Sequence, residues 1–307
     1  MSKKSVLGVA LVAALGVTAL AGCSAPAGEE ESQGEVVTFE TTVDEAAAAL
    51  VPAAIRDKGE LNCAIDIPYG SLAYYVGDQM MGMDPSMCRL VAQKLDLEPA
   101  LEKQAFDTVI PSLQAGKHDV IMSGMNDTLE RQQTLNFVEY LYGGFAIVVA
   151  EGNPENITGI EGLCGYTVAI QKATSQGDLL KEVSDECVSS GKKEITVTEL
   201  PGDLDAQTAL KAGKSQAYVG DAVVAVYAAE TTNEGKAFDV VEDPENPNGF
   251  NALYSGIGIL NTDQALTDAV LAAMTSLIAD GTYMEMMSYY GLESYAVDSA
   301  MLNAATE

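Results

Sequence analysis

Short apolar runs of strand length alternate with segments whose apolar residues recur at helical spacing, and this alternation predicts most of the regular structure. After a short helical stretch over 44–58, the run Leu61-Asn62-Cys63-Ala64-Ile65 reads as a strand that stops at Asp66. A helix over 85–95 starts with Pro85 in its first turn, where a missing N–H costs nothing. A strand near 99–102, a helix over 107–115 with Val109, Ile110 and Leu113 on one face, and a strand over 119–122 come next. The strand runs into Ser123-Gly124-Met125-Asn126-Asp127-Thr128, and a helix through Arg131 is predicted beyond it. An extended segment over 144–150 precedes a break rich in glycine, proline and asparagine. The pattern then restarts with strand 166–170, helix 175–189, strand 195–200, helix 203–212, strand 217–220 and a helix from Asp221. Residues 251–260 read as extended and 263–279 as a final long helix. Two strand–helix runs of about 100 residues each predict two α/β lobes built on parallel strands. Ligands of such sheets bind beyond the carboxyl ends of the strands, which is where the unusual polar residues of this chain sit.

The first residues do not follow that pattern. Lys3 and Lys4 precede an apolar run over 6–20, too short to span a bilayer comfortably and laid out like a secretory signal. The junction Leu20-Ala21-Gly22-Cys23 resembles a bacterial lipobox, which implies a signal peptide over 1–22 and a diacylglycerol-bearing Cys23. The small, polar, acidic residues from Ser24 to about Thr42 read as a flexible stalk. Four cysteines remain: Cys63, Cys88, Cys164 and Cys187. In an exported chain an even remainder points to disulfides, and four cysteines allow three connectivities. Spacings of 25 and 23 residues favour the local pairs Cys63–Cys88 and Cys164–Cys187. No CxxC pair exists to support a zinc site.

Composition then removes several function classes. With 16 Lys+Arg against 45 Asp+Glu and a formal charge of −29, a basic nucleic-acid footprint is excluded. His118 is the only histidine, so a histidine-rich metal site cannot be assembled, and a Ser-His-Asp triad would have to use it. Its position in a helix–strand turn predicts a solvated side chain. The only arginines are Arg56, Arg89 and Arg131. Arg131 lies three residues beyond Thr128, where its guanidinium could join helix-terminal amides in a bidentate clamp for a small carboxylate. The residues alone equally allow Arg131 to pair with Glu130 or Glu139 on the surface.

The run Ile110-Pro111-Ser112-Leu113-Gln114-Ala115-Gly116-Lys117-His118-Asp119, then 124–131, then Asn136-Phe137, resembles the solute-binding proteins of polar amino-acid ABC importers, over residues 59–291. That resemblance implies a two-lobed periplasmic-binding-protein-like (type II) α/β fold with a ligand cleft between the lobes. It places Gly124, Asn126 and Arg131 on the ligand's α-amino and α-carboxylate groups, with arginine on the carboxylate. Phe106 and Tyr69 would pack on the ligand, and Asp66 would stand near the tip of its side chain. In the second lobe Thr174, in Gln171-Lys172-Ala173-Thr174-Ser175, would donate to the carboxylate, and Asp221 would take the ammonium. The family usually has glycine where this chain has Ala173, and more often Ser or Thr where it has Asn126. Core packing for Phe106 and Tyr69, and helix capping for Asp66 and Asp221, are the structural alternatives. Asp84, in Gly82-Met83-Asp84-Pro85-Ser86, is given a structural role, and Met80, Met81, Met83 and Met87 are placed near the cleft rim as gap fillers.

The expected arrangement is a signal peptide (1–22), an anchored stalk and lead-in (23–58), lobe I (59–147 and 250–307) and lobe II (148–249). The implied function is that of a monomeric, lipid-anchored protein on the extracytoplasmic face of the cell membrane. It would present an amino acid to an ABC permease, with no cofactor and no chemistry of its own. An acid at position 66 favours an amide or basic amino acid over an acidic one, whereas Lys172 argues the other way unless it points to solvent. Two alternatives remain: an enzyme on the same fold, such as a cyclohexadienyl dehydratase, and a ligand sensor for a receptor partner.

Overall fold

The computed structural model describes residues 36–241, 243 and 245–305, all within one compact unit, Ser32–Glu307. The expected signal peptide, Cys23 and the stalk as far as residue 35 lie outside the described residues. The stalk ends earlier than Thr42. Phe39 packs edge-on against Tyr289, the Thr41 amide donates to Gln93 Oε1 at 3.0 Å, and Thr41 Oγ1 bonds Asp280.

The helices are α1 (Glu45–Ala48), α2 (Ala53–Lys58), α3 (Met83–Lys94), α4 (Phe106–Gln114), α5 (Ser175–Ser189), α6 (Asp203–Lys211), α7 (Ala222–Thr231), α8 (Gln264–Ala279) and α9 (Thr282–Tyr289). The strands are β1 (Glu60–Ile65), β2 (Tyr74–Val76), β3 (Gln79–Met81), β4 (Glu98–Lys103), β5 (Val120–Ile121), β6 (Leu135–Ala150), β7 (Thr167–Gln171), β8 (Thr196–Leu200), β9 (Ala217–Asp221), β10 (Phe238–Val240) and β11 (Phe250–Leu260). The main sheet runs in the order β4-β1-β5-β11-β6-β9-β7-β8, with β10 beside β6. Its two ends are parallel, β4-β1-β5 and β9-β7-β8, each produced by strand–helix crossovers. Between them the long antiparallel pair β6 and β11 joins one end to the other. The α/β class with two lobes is what the alternation of runs predicts, and the cleft between them is what the family resemblance implies.

Burial on both faces explains why these strands read as continuous apolar runs. One core packs α3, α8 and α9 on β1, through residues such as Ile65, Met87, Val91 and Met274. A second, on the opposite face, sets Val109 and Leu113 of α4 against Ile121 and Phe137. At the other end Ile170, Leu180 and Val219 form one layer and Ala169, Leu210 and Tyr218 another. The first half of β6 escapes a period-2 reading because Leu135 through Leu141 are all buried, Asn136 and Glu139 included.

Two expectations are corrected here. Met83 and Met87 are fully buried in the α3 core and Met80 packs against it, so they do not line a rim; α8 and α9 close over that surface. His118 is only 6% exposed, because the α4–β5 turn tucks beneath the end of β4. Its ring nitrogens lie 3.6 Å from Glu102 Oε2 and 3.4 Å from Gln104 Oε1.

β6 and β11 pass each other with two glycines in contact. A Cβ on Gly144 would stand 2.2 Å from the Phe250 carbonyl, and one on Gly249, at φ +100°, would stand 2.7 Å from Gly144. The ladder breaks register on either side of Leu253 to Ser255, between Phe250 and Leu253 and between Ser255 and Gly256.

Both disulfides are local. Cys63 of β1 bonds Cys88 of α3, and Cys164 bonds Cys187 of α5, so each bridge staples a strand or its lead-in to the helix covering it. Loops of this length lower the unfolded state's entropy by about 3–4 kcal/mol in the chain-entropy model. The double variant Cys164→Ala/Cys187→Ala is therefore expected to unfold at lower urea, with about that loss of stability. An unchanged unfolding midpoint would contradict the stapling role.

Candidate functional site

Residues at the carboxyl ends of β1, β5, β7 and β9 meet across the cleft. From the β1 and β5 end come Asp66, Tyr69, Phe106, Gly124, Asn126 and Arg131; from the β7 and β9 end come Gln171, Thr174, Ser175, Gln176 and Asp221. Direct hydrogen bonds join the two sets. Tyr69 Oη donates to Asp221, Gln171 Nε2 donates to Asp66 Oδ2 at 2.6 Å, and Ser175 Oγ donates to Asn126 Oδ1 at 2.5 Å. A salt bridge of 2.7 Å between Lys172 and Asp107 closes the rim.

Arg131 is held at three points. Nη1 donates to the Asn126 carbonyl at 2.7 Å, Nη2 donates to the Ala173 carbonyl at 3.1 Å, and the guanidinium lies 5.5 Å from the centre of the Phe106 ring. A guanidinium stacked on a ring keeps its fork in one plane and its remaining donors free to meet a carboxylate. Burial pulls its pKa down, while the charges of Asp221 and Asp178 push it back up. The helix expected to carry Arg131 is absent: only a 3-10 turn, Arg131–Gln133, separates the loop from β6. With β6 beginning at Leu135, too few residues follow Thr128 for an α-helix. Arg131 is thus positioned by carbonyls and a ring rather than by helix-terminal amides. It pairs with neither Glu130 nor Glu139.

Gly124 sits at φ +55°, where a Cβ would meet Leu72 at 3.0 Å and Tyr69 at 3.1 Å, so a side chain here would displace the tyrosine. Its amide donates to Tyr140 Oη at 2.9 Å, and Tyr140 donates on to Asp84 at 2.7 Å. Asp84 therefore has the structural role expected of it, behind the site.

Asp221 closes β9 and precedes α7, yet its carboxylate does not cap that helix. It accepts from Tyr69 and, at 3.1 Å, from Gln176 Nε2. Burial raises its pKa to about 6 against the opposing pull of Tyr69, Asn126 and Arg131. Asp66 is likewise raised, chiefly by burial. Behind Asp221, burial raises Asp203 to about 7, although it accepts from Tyr218 and Gln207; the charges of Asp221 and Asp66 add to the rise. Gln176 Oε1 is buried with no partner. The cleft thus combines two carboxylates and an orphaned carbonyl oxygen with a single free guanidinium, a field that favours cations.

All eight expected ligand residues come together at this cleft. Thr174 differs in detail: its hydroxyl donates to the Gln171 carbonyl at 2.7 Å, and it starts α5 without a side-chain cap. Ala173 adopts φ +62°, the left-handed conformation that glycine takes more readily. Lys172 stands at the rim with its side chain 38% exposed and pairs with Asp107, so it does not point toward a ligand carboxylate. Sequence reasoning missed Gln176, Ser175 and Ser255, the last accepting from Asn126 Nδ2 at 3.0 Å. The first two occupy the first turn of α5, the one available signal.

Comparison with known proteins places the chain in a family. Residues 61–293 match the model of the bacterial extracellular solute-binding proteins, family 3. The chain is 30% identical over 299 residues to the arginine-binding protein ArgT of Corynebacterium glutamicum, covering 96% of this chain and 95% of that protein. An ancestral arginine-binding protein bound to arginine superposes with a TM-score of 0.67 at 25% identity, over 76% of this chain and 98% of that one. An ancestral amino-acid-binding protein described as a precursor of cyclohexadienyl dehydratase gives 0.68 at 25% identity, over 77% and 97%.

The buried acids set a pH dependence. Asp84 and Asp203 are raised to about 7 and Asp221 to about 6, from an ordinary value of 3.8. Between those limits the folded state holds protons that the unfolded chain releases, so their contribution is full below pH 3.8 and is lost as pH rises through 6 to 7. Each such proton is worth about 1.4 kcal/mol per pH unit inside its window. The melting temperature of the ligand-free protein is expected to fall between pH 5 and pH 8, and to fall less in Asp203→Asn. A melting temperature that climbs over this range would contradict the assignment.

Proposed function

The chain belongs to the bacterial extracellular solute-binding proteins, family 3, and from that premise we propose that it captures a basic amino acid, arginine foremost, and presents it to a membrane permease. One observation carries this reading: a buried carboxylate, Asp221, faces a stacked guanidinium, Arg131, with a second carboxylate, Asp66, to one side. Arg131 and the Thr174 amide take the ligand's α-carboxylate. Asp221 and the orphaned Gln176 oxygen take its ammonium. Those pairings neutralise a zwitterion and leave Asp66 unmatched, so a side-chain cation displaces the Gln171 amide from it. A glutamate side chain would instead bring a third carboxylate into a dry cleft, a repulsion of several kcal/mol. The relatives named as arginine-binding support the same choice.

In the same proposal Cys23 carries the lipid anchor and the protein works as a monomer outside the membrane. Residues 59–147 with 250–307 form lobe I, and 148–249 form lobe II. The lobes part about β6 and β11 where Gly144 meets Gly249, and the bonds across the cleft break as they do so. The alternative of an enzyme requires a poised acid facing substrate. The acids that face the cleft, Asp221 and Asp66, are in this proposal taken up by the ligand's cations, and Asp84 and Asp203 are turned onto Tyr140 and Tyr218.

Arginine at 100 times its dissociation constant is expected to stabilise the protein by about 2.7 kcal/mol, with no product formed on incubation. Arg131→Ala is expected to weaken binding by about 2–5 kcal/mol, roughly 30-fold to several-thousand-fold, in a folded protein. Calorimetry showing unchanged affinity in that variant would overturn the site, and glutamate binding tenfold tighter than arginine would overturn the ligand class.

A further inference from the structure

Behind Arg131 lie two buried carboxyl groups with no cation. Asp127 and Glu139 are both fully buried, and neither makes an ion pair with Lys, Arg or His among the described residues. Asp127 accepts from Gln132 Nε2 at 2.8 and 3.0 Å and from the Ala305 amide at 2.8 Å. Glu139 Oε1 accepts from the Ala304 amide at 3.2 Å. Its other oxygen has no hydrogen-bond partner, and the adjacent Ala304 and Ala305 amides hold the Glu139 and Asp127 carboxyl groups as neighbours. Two carboxyl groups held together in a dry interior favour a proton on one of them, and burial puts it on Glu139.

The Ala304 and Ala305 amides belong to a strap, residues 301–305, lying on the part of β6 that carries Glu139. Glu139 N donates to the Met301 carbonyl at 3.1 Å, Asn303 N donates to the Phe137 carbonyl at 2.9 Å, and the Asn303 side chain bonds Phe137 and Asn136. On its other side Asp127 is continuous with the ligand clamp. Its amide donates to the Tyr254 carbonyl at 2.8 Å, the carbonyl of the preceding Asn126 holds Arg131, and Gln132 is the next residue after Arg131.

We propose that Asp127, locked against Glu139 and by the C-terminal strap, is the positioning residue that fixes the turn bearing Arg131 and so tunes ligand affinity from outside the cleft. The affinity part of this proposal rests on the ligand reading above; the ordering of the turn does not. Facing the pair are Gln132 from the turn, the Ala304 and Ala305 amides from the strap and the Gly256 backbone from β11, none of them charged. Burial first, and Asp127 second, raise Glu139 to about 9 from an ordinary 4.5. The lock is therefore complete at neutral pH and is lost as pH rises through 9.

The test compares the wild type with Glu139→Gln, Glu139→Ala and a chain ending at residue 300. It reads amide hydrogen exchange over 126–134, corrected for the intrinsic effect of pH, and arginine affinity by calorimetry. Glutamine can donate to Asp127 without titrating. Glu139→Gln is expected to match the wild type within about threefold at pH 7. It is also expected to abolish the rise in exchange that the wild type shows between pH 7 and pH 10. Glu139→Ala and the truncated chain are expected to exchange at least tenfold faster over 126–134 and to bind arginine at least tenfold more weakly, with exchange in α5 unchanged. Exchange equal to wild type in both, or a Glu139→Gln profile that follows the wild type to pH 10, would overturn the proposal. A wild type that binds no amino acid but shows the expected exchange pattern would refute the ligand reading while upholding the positioning role.

Discussion

The structure depends on what it costs to bury the Asp221 carboxylate. A carboxylate taken out of water without a cation is unfavourable by several kcal/mol unless hydrogen bonds or a proton compensate it. Here Tyr69 and Gln176 do so in part, and a raised pKa shows that the compensation is incomplete. In the proposed function the ligand's ammonium group completes it. Tyr69 comes from beyond β1 and Asp221 from the end of β9, so the same bond that satisfies the acid also draws the two halves of the cleft together. On the proposed reading, a ligand that brings its own ammonium to Asp221 takes over this role and makes closure more favourable than the chain's own donors can.

The remaining cross-cleft bonds follow the same logic. Gln171 to Asp66 and Lys172 to Asp107 are donor–acid pairs formed by the protein with itself, and each holds an acid at the cleft or its rim. Arg131 reverses the signs: carbonyl oxygens and the Phe106 face support the cation without neutralising it. Supporting it with neutral groups leaves its charge available to a ligand carboxylate, whereas an ion pair with Glu130 or Glu139 would have consumed it. Glu139 is turned instead to the far side, where it accepts from the Ala304 amide next to the one that Asp127 holds.

Much of this was legible in the sequence, for identifiable physical reasons. Asp66 and Asp221 each follow an apolar run that can only be a buried strand, so their placement at strand ends follows from periodicity alone. Spacing favours the local disulfides among three connectivities, and the structure has both, each linking neighbouring elements. Three features were hidden. The turn at Arg131 carries Asn126, Asp127 and Thr128 ahead of Glu130, a sequence pattern that favours a capped helix, but the nearby start of β6 leaves room for one tight turn. The first half of β6 lacks alternation because both faces are covered. Gln176 reads as an ordinary solvated helix residue, and only the fold shows it 3% exposed with its oxygen unpaired.

The most direct measurement is a crystal structure of the protein grown with arginine. The account requires the ligand's carboxylate on Arg131, its ammonium on Asp221 and its guanidinium at Asp66 in place of the Gln171 amide. Arginine found elsewhere, or bound in the cleft with the Asp66–Gln171 and Tyr69–Asp221 bonds both intact and its ammonium away from Asp221, would contradict it.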